Sequence, residues 1–206
     1  MTRDIEGALK ATGGSAEGAA RAASAFARRA VDEGLVDVTY ARTDSPVGRL
    51  LLATTPRGLV RVAYLNQAQS EETVLERLSA RVSPRILEAP AHLDPVRRQL
   101  QEYFEGSRRS FALELDWMLM GPFSRRVLER TSAIPYGERA TYAEVAADAG
   151  SPRASRAAGN ALGANPIPIV CPCHRVVATG GGLGGYTGGL DRKLALLAIE
   201  ERVATS

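Results

Sequence analysis

The run Thr141-Tyr142-Ala143-Glu144-Val145-Ala146-Ala147-Asp148-Ala149-Gly150-Ser151-Pro152-Arg153-Ala154-Ser155-Arg156-Ala157-Ala158-Gly159-Asn160-Ala161-Leu162 decides the architecture of the C-terminal half. Thr141 and Glu144 have capping-box spacing, in which each side chain accepts the other residue's backbone N–H. That predicts a helix from Tyr142 to about Ala149, stopped by Gly150. Ser151-Pro152 then offers an N-cap and a first-turn proline for a second helix reaching about Leu162. Two short helices around a tight turn form a helix-turn-helix pattern, which many helical hairpins share without touching DNA. The second helix contains no acid, small residues throughout and two arginines near its start. It suits close approach to phosphates and bases, or tight packing through Ala and Gly, and both can hold on different faces. We read it as facing DNA.

Upstream, Phe123–Ala133 is amphipathic and ends at Ile134-Pro135-Tyr136-Gly137, where Pro135 biases Ile134 away from helix. Residues 35–120 have a different character. Val36, Val38 and Tyr40 alternate with polar residues, and two apolar runs, Arg49–Thr54 and Leu59–Leu65, flank a hairpin signal at Thr55–Gly58. Helices are expected over Glu71–Val82 and Pro95–Phe104, and a further strand over Phe111–Leu115. This unit shows no candidate catalytic cluster. Residues 1–34 are Ala/Gly-rich. One helix from about Ser15 to Val31 would put Ala19, Ala22, Ala23, Phe26 and Ala30 on one face, with fraying or disorder as the default.

At 206 residues, 45% hydrophobic and 24% charged, the composition is that of a soluble globular protein of one domain or two small ones. No apolar run is long enough to span a bilayer, and Met1–Glu6 carries acids where a secretory signal would be basic and then apolar. We expect a cytoplasmic protein. Residues 1–116 balance 16 basic against 16 acidic side chains, whereas 117–206 hold 10 and 7, so the net charge of +3 lies in the C-terminal part. A polyanionic partner is permitted there, not established. Cys171 and Cys173 are the only cysteines, and with His174 they do not make a four-ligand zinc site. We expect no metal.

The chemistry is carried by Asn165-Pro166-Ile167-Pro168-Ile169-Val170-Cys171-Pro172-Cys173-His174-Arg175-Val176. Three prolines forbid helix and predict a stiff extended path that delivers Cys173 beside His174. A cysteine next to a proton acceptor is the minimum for an activated thiolate. Adjacent side chains of an extended chain point apart, so a bridging water or a turn beginning at Cys173 is needed. A buried cysteine beside a structural histidine is an equal reading of these residues alone.

Pro172-Cys173-His174-Arg175-Val176 resembles the acceptor motif of the O6-alkylguanine-DNA alkyltransferases. Further matches are Ile134-Pro135-Tyr136-Gly137-Glu138, Thr141-Tyr142, Arg156-Ala157-Ala158-Gly159, Gly185-Tyr186-Thr187-Gly188-Gly189 and Leu196-Leu197-Ala198-Ile199-Glu200. The resemblance runs from about Val36 to Val203. It implies an α+β fold of two domains: a ribonuclease-H-like α/β domain with antiparallel strands at 35–120, and a mainly helical, winged-helix-like alkyltransferase domain at 121–206. It implies direct-reversal repair of O6-alkylguanine in double-stranded DNA, with O4-alkylthymine as a further candidate, by a cofactor-free monomer that acts once. Under it, Cys173 is the acceptor, His174 its base through a water, and Glu200 the orienting carboxylate. Asn165 ties the helix-turn-helix to the acceptor segment, and Tyr142 donates to the departing guanine. Arg156 is the arginine finger that replaces a flipped nucleotide, as reaction at a base-pairing edge requires. Arg153, Ser155, Ala157 and Tyr142 join it at the DNA, and Pro172, Val176, Tyr186 and Thr187 line the substrate pocket.

Cys171 stands where the family is usually aliphatic, and Thr187 where serine is also common. Three rivals remain: a non-catalytic lesion binder, which the presence of Cys173 opposes; a cysteine hydrolase, which would turn over; and a transcriptional regulator, which would need a defined DNA sequence.

Overall fold

The computed structural model describes residues 16–204. Strands β1 (Val38–Thr43), β2 (Leu50–Thr55), β3 (Gly58–Tyr64) and β4 (Ile86–Glu88) form one sheet in the order β3-β2-β1-β4. The β1/β2 and β2/β3 pairs are antiparallel, while β4 runs parallel to β1. The centre of the sheet, β2, buries both faces, and its period-two geometry divides the core. Leu51 and Ala53 face a smaller cluster with Val74 and Leu78 of α2 (Glu71–Arg81). Leu50 and Leu52 face the main core, which also takes Val96, Leu100 and Tyr103 of α3 (Asp94–Phe104).

That main core continues into the C-terminal half. It holds Val127 and Leu128 of α4 (Pro122–Ser132), Val145 of α5 (Tyr142–Asp148), Leu162 of α6 (Ser155–Gly163) and Leu196 of α7 (Leu190–Ala204). Short strands β5 (Ala140–Thr141) and β6 (Val176–Val177) pair in parallel. The capping box at Thr141 and Glu144 is present and starts α5 where the sequence predicts.

Four expectations need correction. The second helix of the helix-turn-helix begins at Ser155, because Ala154 N–H donates to Ser151 O and closes a turn over Ser151–Ala154. Arg153 therefore sits in the turn, not on the helix. Phe111–Leu115 is no strand beyond one bridge from Leu115 to Leu59. The Gln99 side chain takes both backbone groups of Ala112 instead, replacing a strand partner with an amide. The proline-rich segment is not extended throughout, since Cys171 N–H donates to Ile167 O and Ile169 adopts φ 75°. Pro168 presets the first corner of that turn, and the second corner takes the left-handed backbone that glycine usually supplies. Finally, the N-terminal helix α1 (Ala16–Asp32) is present, but its buried residues are Ala27 and Ala30. Phe26 is 65% exposed, because the small alanine face is what lets α1 approach residues 88–92. The part of the 1–34 extension covering residues 1–15 lies outside the described residues. Among those described, no helix is long and apolar enough to cross a membrane.

Candidate active site

Asn165 follows α6 and organises the segment after it. Its Oδ1 accepts from Ile167 N at 3.0 Å, while Nδ2 donates to Cys171 O at 2.9 Å and to Cys173 Sγ at 3.1 Å. One fully buried amide thus fixes the end of the helix-turn-helix, the Ile169 turn and the sulfur. Cys173–Arg175 then form a 3-10 turn, which supplies the change of direction that an extended Cys-His pair would lack.

Cys173 is 4% exposed and opens onto a cavity of about 660 Å³. Tyr142, Ser155, Arg156, Tyr186 and Thr187 share its wall. Burial pushes the thiol up to about 11, against the Asn165 amide and the Lys193 ammonium, both of which favour thiolate. Behind the sulfur, His174 is fully buried and its Nε2 lies 2.8 Å from Glu200 Oε1. Burial alone would raise the Glu200 carboxyl, but hydrogen bonds from His174 and Arg175 overcome it and hold the group at about 2. An ionised carboxylate only accepts, so Nε2 carries the proton of the neutral ring and Nδ1 is its basic nitrogen. Burial lowers the imidazole below its ordinary range and keeps it neutral. His174 Nδ1 is buried with no hydrogen-bond partner among the described residues.

The glycine loop closes one side of the cavity. Tyr142 Oη bonds to both backbone groups of Gly185, donating to its O at 3.3 Å and accepting from its N at 3.2 Å. Thr187 Oγ1 donates to Gly163 O at 2.8 Å, tying the loop to the end of α6. Tyr186 Oη meets Tyr64 Oη at 2.7 Å. A side chain at Gly188 would collide with both tyrosine rings.

Most of the expected residues converge. Cys173, Tyr142, Ser155, Arg156, Tyr186 and Thr187 line the cavity, with His174, Asn165 and Glu200 behind the thiol. Four do not line it. Pro172 and Val176 are buried off its wall, Val176 because it pairs with Ala140 while its carbonyl accepts from Lys193. Arg153 and Ala157 are exposed beside the cavity but do not border it.

Sequence reasoning missed four contributors. Arg175 grips Glu200 with Nε and Nη2 and also reaches Ile134 O with Nη1. Lys193 is fully buried and donates to the carbonyls of Val176 and Leu183. Its signal was compositional, as one of two lysines in an arginine-dominated chain. Tyr64 and Tyr103 arrive from the sheet half, where periodicity marks them only as core.

Fold and site together define a helix-turn-helix protein with a cavity-lining cysteine backed by a buried His–Glu pair. Residues 38–117 match the model of the 6-O-methylguanine DNA methyltransferase ribonuclease-like domain, and residues 122–202 that of its DNA-binding domain. The chain belongs to the O6-methylguanine DNA methyltransferase family. It is 41% identical over 165 residues to the methylated-DNA–protein-cysteine methyltransferase of Mycolicibacterium paratuberculosis, covering 80% of this chain and 93% of that one. It is 36% identical to the constitutive enzyme of Bacillus subtilis, covering 80% and 96%. Among solved structures, Mycobacterium tuberculosis OGT in complex with DNA matches with TM-score 0.69 at 38% identity, covering 80% and 94%.

Proposed function

We propose that this chain repairs O6-alkylguanine in double-stranded DNA by moving the alkyl group, irreversibly and once per molecule, onto Cys173. The carrying observation is the position of Cys173 at the edge of a cavity shared with the start of α6 and the glycine loop, with the His174–Glu200 pair behind it. The Cys173 proton passes through a water to His174 Nδ1, whose imidazolium is balanced by Glu200. Sγ attacks the alkyl carbon, the bond from that carbon to O6 breaks, and its electron pair leaves on the guanine. Tyr142 donates to the departing base. Arg156 fills the space left by the flipped nucleotide, with Ser155, Arg153 and Ala157 beside the duplex.

The same reading takes the chain as a cytoplasmic monomer without a cofactor, divided into an extension at 1–34 and domains at 35–120 and 121–206. Intact-mass analysis after incubation with duplex DNA carrying O6-methylguanine tests it. One added methyl on Cys173, absent in Cys173→Ser, is expected. Modification elsewhere, or continued turnover as a hydrolase would show, overturns it.

A further inference from the structure

Tyr103 lies on α3 in the sheet half, yet its hydroxyl ends inside the proton relay. The side chain is fully buried, and its ring packs edge-on against Phe104 and Tyr136 and tilted against Phe111. Oη donates to Glu200 Oε1 at 2.7 Å and stands 3.4 Å from His174 Nε2. The His174 contact at 2.8 Å uses the same carboxylate oxygen. Arg175 Nη2 also donates to Oε1 at 2.9 Å, while Oε2 is taken by Gly137 N at 3.1 Å and by Arg175 Nε at 3.0 Å. The carboxylate is therefore held from three directions, and Tyr103 supplies the one that comes from outside the C-terminal half.

We propose that Tyr103 is a positioning residue for the transfer reaction, through which the sheet half fixes Glu200 Oε1 on His174 and sets the basicity of the imidazole. This rests on the reading of Cys173 as alkyl acceptor. A hydroxyl already donating to Oε1 draws off part of the charge that would otherwise stabilise imidazolium. It also keeps that oxygen from turning away when the ring becomes charged. Tyr103 keeps its own proton throughout, because burial and the adjacent Glu200 hold the phenol far above its ordinary range. The other titratable or charged groups around the pair are Arg175 and Cys173 on the same turn, Lys193 on α7, Tyr136 after α4 and Tyr186 on the glycine loop.

Tyr103→Phe removes the hydroxyl and leaves the ring contacts. The second-order rate of alkyl transfer from free O6-alkylguanine base is expected to fall about tenfold, as for one lost charge-assisted hydrogen bond. The titration of His174, followed by NMR, and the acidic limb of the rate profile are expected to move to higher pH together. In a Glu200→Gln background the same substitution is expected to change the rate little, because its route of action is gone. The mass endpoint of one alkyl group on Cys173 stays the same. An unchanged rate and unchanged His174 titration, or a full tenfold effect persisting without Glu200, would overturn the positioning role while leaving the acceptor reading intact. A wild-type protein that takes no alkyl group on Cys173 would overturn both.

Discussion

Arg156 is exposed on the first turn of α6 and borders the cavity without an ion pair or hydrogen bond among the described residues. A side chain so placed is ready to enter a base stack or to meet a phosphate, and the two roles separate in kinetics. As a finger, Arg156→Ala leaves unstacking uncompensated, a cost of a few kcal/mol that only a duplex substrate incurs. Transfer from duplex is then expected to slow by about 100-fold or more, with transfer from free base nearly unchanged. A phosphate contact would instead weaken binding broadly and make its salt dependence shallower. Paired inactivation rates on duplex and free base decide between them, and equal proportional losses would point to damage in the cavity itself.

At the scale of elements, the glycine loop is shaped by what stands behind it. A Cβ at Gly188 would lie 2.6 Å from a Tyr64 ring carbon and 2.8 Å from one of Tyr186. Overpacking of that kind costs about 1–3 kcal/mol. Gly188→Ala is expected to slow transfer from both duplex and free base about tenfold, while Gly182→Ala, whose Cβ meets only Ala178 at an ordinary 3.7 Å, stays near wild type. Equal behaviour of the two variants in the same rate assay would refute the tyrosine wall.

Helices were legible both from apolar stripes, which placed α2 and α3 to within one residue, and from local signals. Thr141 and Glu144 sit three residues apart, and Pro135 closes α4 soon after its end. The start of α6 was misread because Ser151-Pro152 satisfies the rules for a helix start and for a turn alike. Cys173, His174, Asn165 and Glu200 were legible through the family resemblance, not through spacing alone. Tyr103 was not, since its partner lies 97 residues away and its local pattern is that of any core tyrosine.

Across the whole molecule, Glu200 ties together elements that are far apart in the chain. α3, the turn after α4, the Cys173 turn and α7 all meet at its two oxygens. Its carboxyl is held at about 2, below the ordinary value of 4.5, so its contribution to stability is complete above about 4.5. That contribution is lost as pH falls from there toward 2, because the unfolded chain binds the proton first. The wild type is expected to lose urea resistance between about pH 4.5 and 2, by a few kcal/mol at the limit. Glu200→Gln, less stable at pH 7, should show a flatter acid limb over the same interval. Parallel curves from chemical denaturation at each pH would remove Glu200 from this role.

The depth of Cys173 also bears on how long an unused molecule lasts. A thiol pushed up to about 11 by burial keeps its proton at neutral pH. Peroxide and small electrophiles in solution react with thiolate, so the resting sulfur is shielded both by its wall and by its proton. For a group that serves once, such dormancy sets the shelf life of the repair stock. Under the proposed acceptor role of Cys173, reactivity is released where a base occupying the cavity brings carbon and sulfur together.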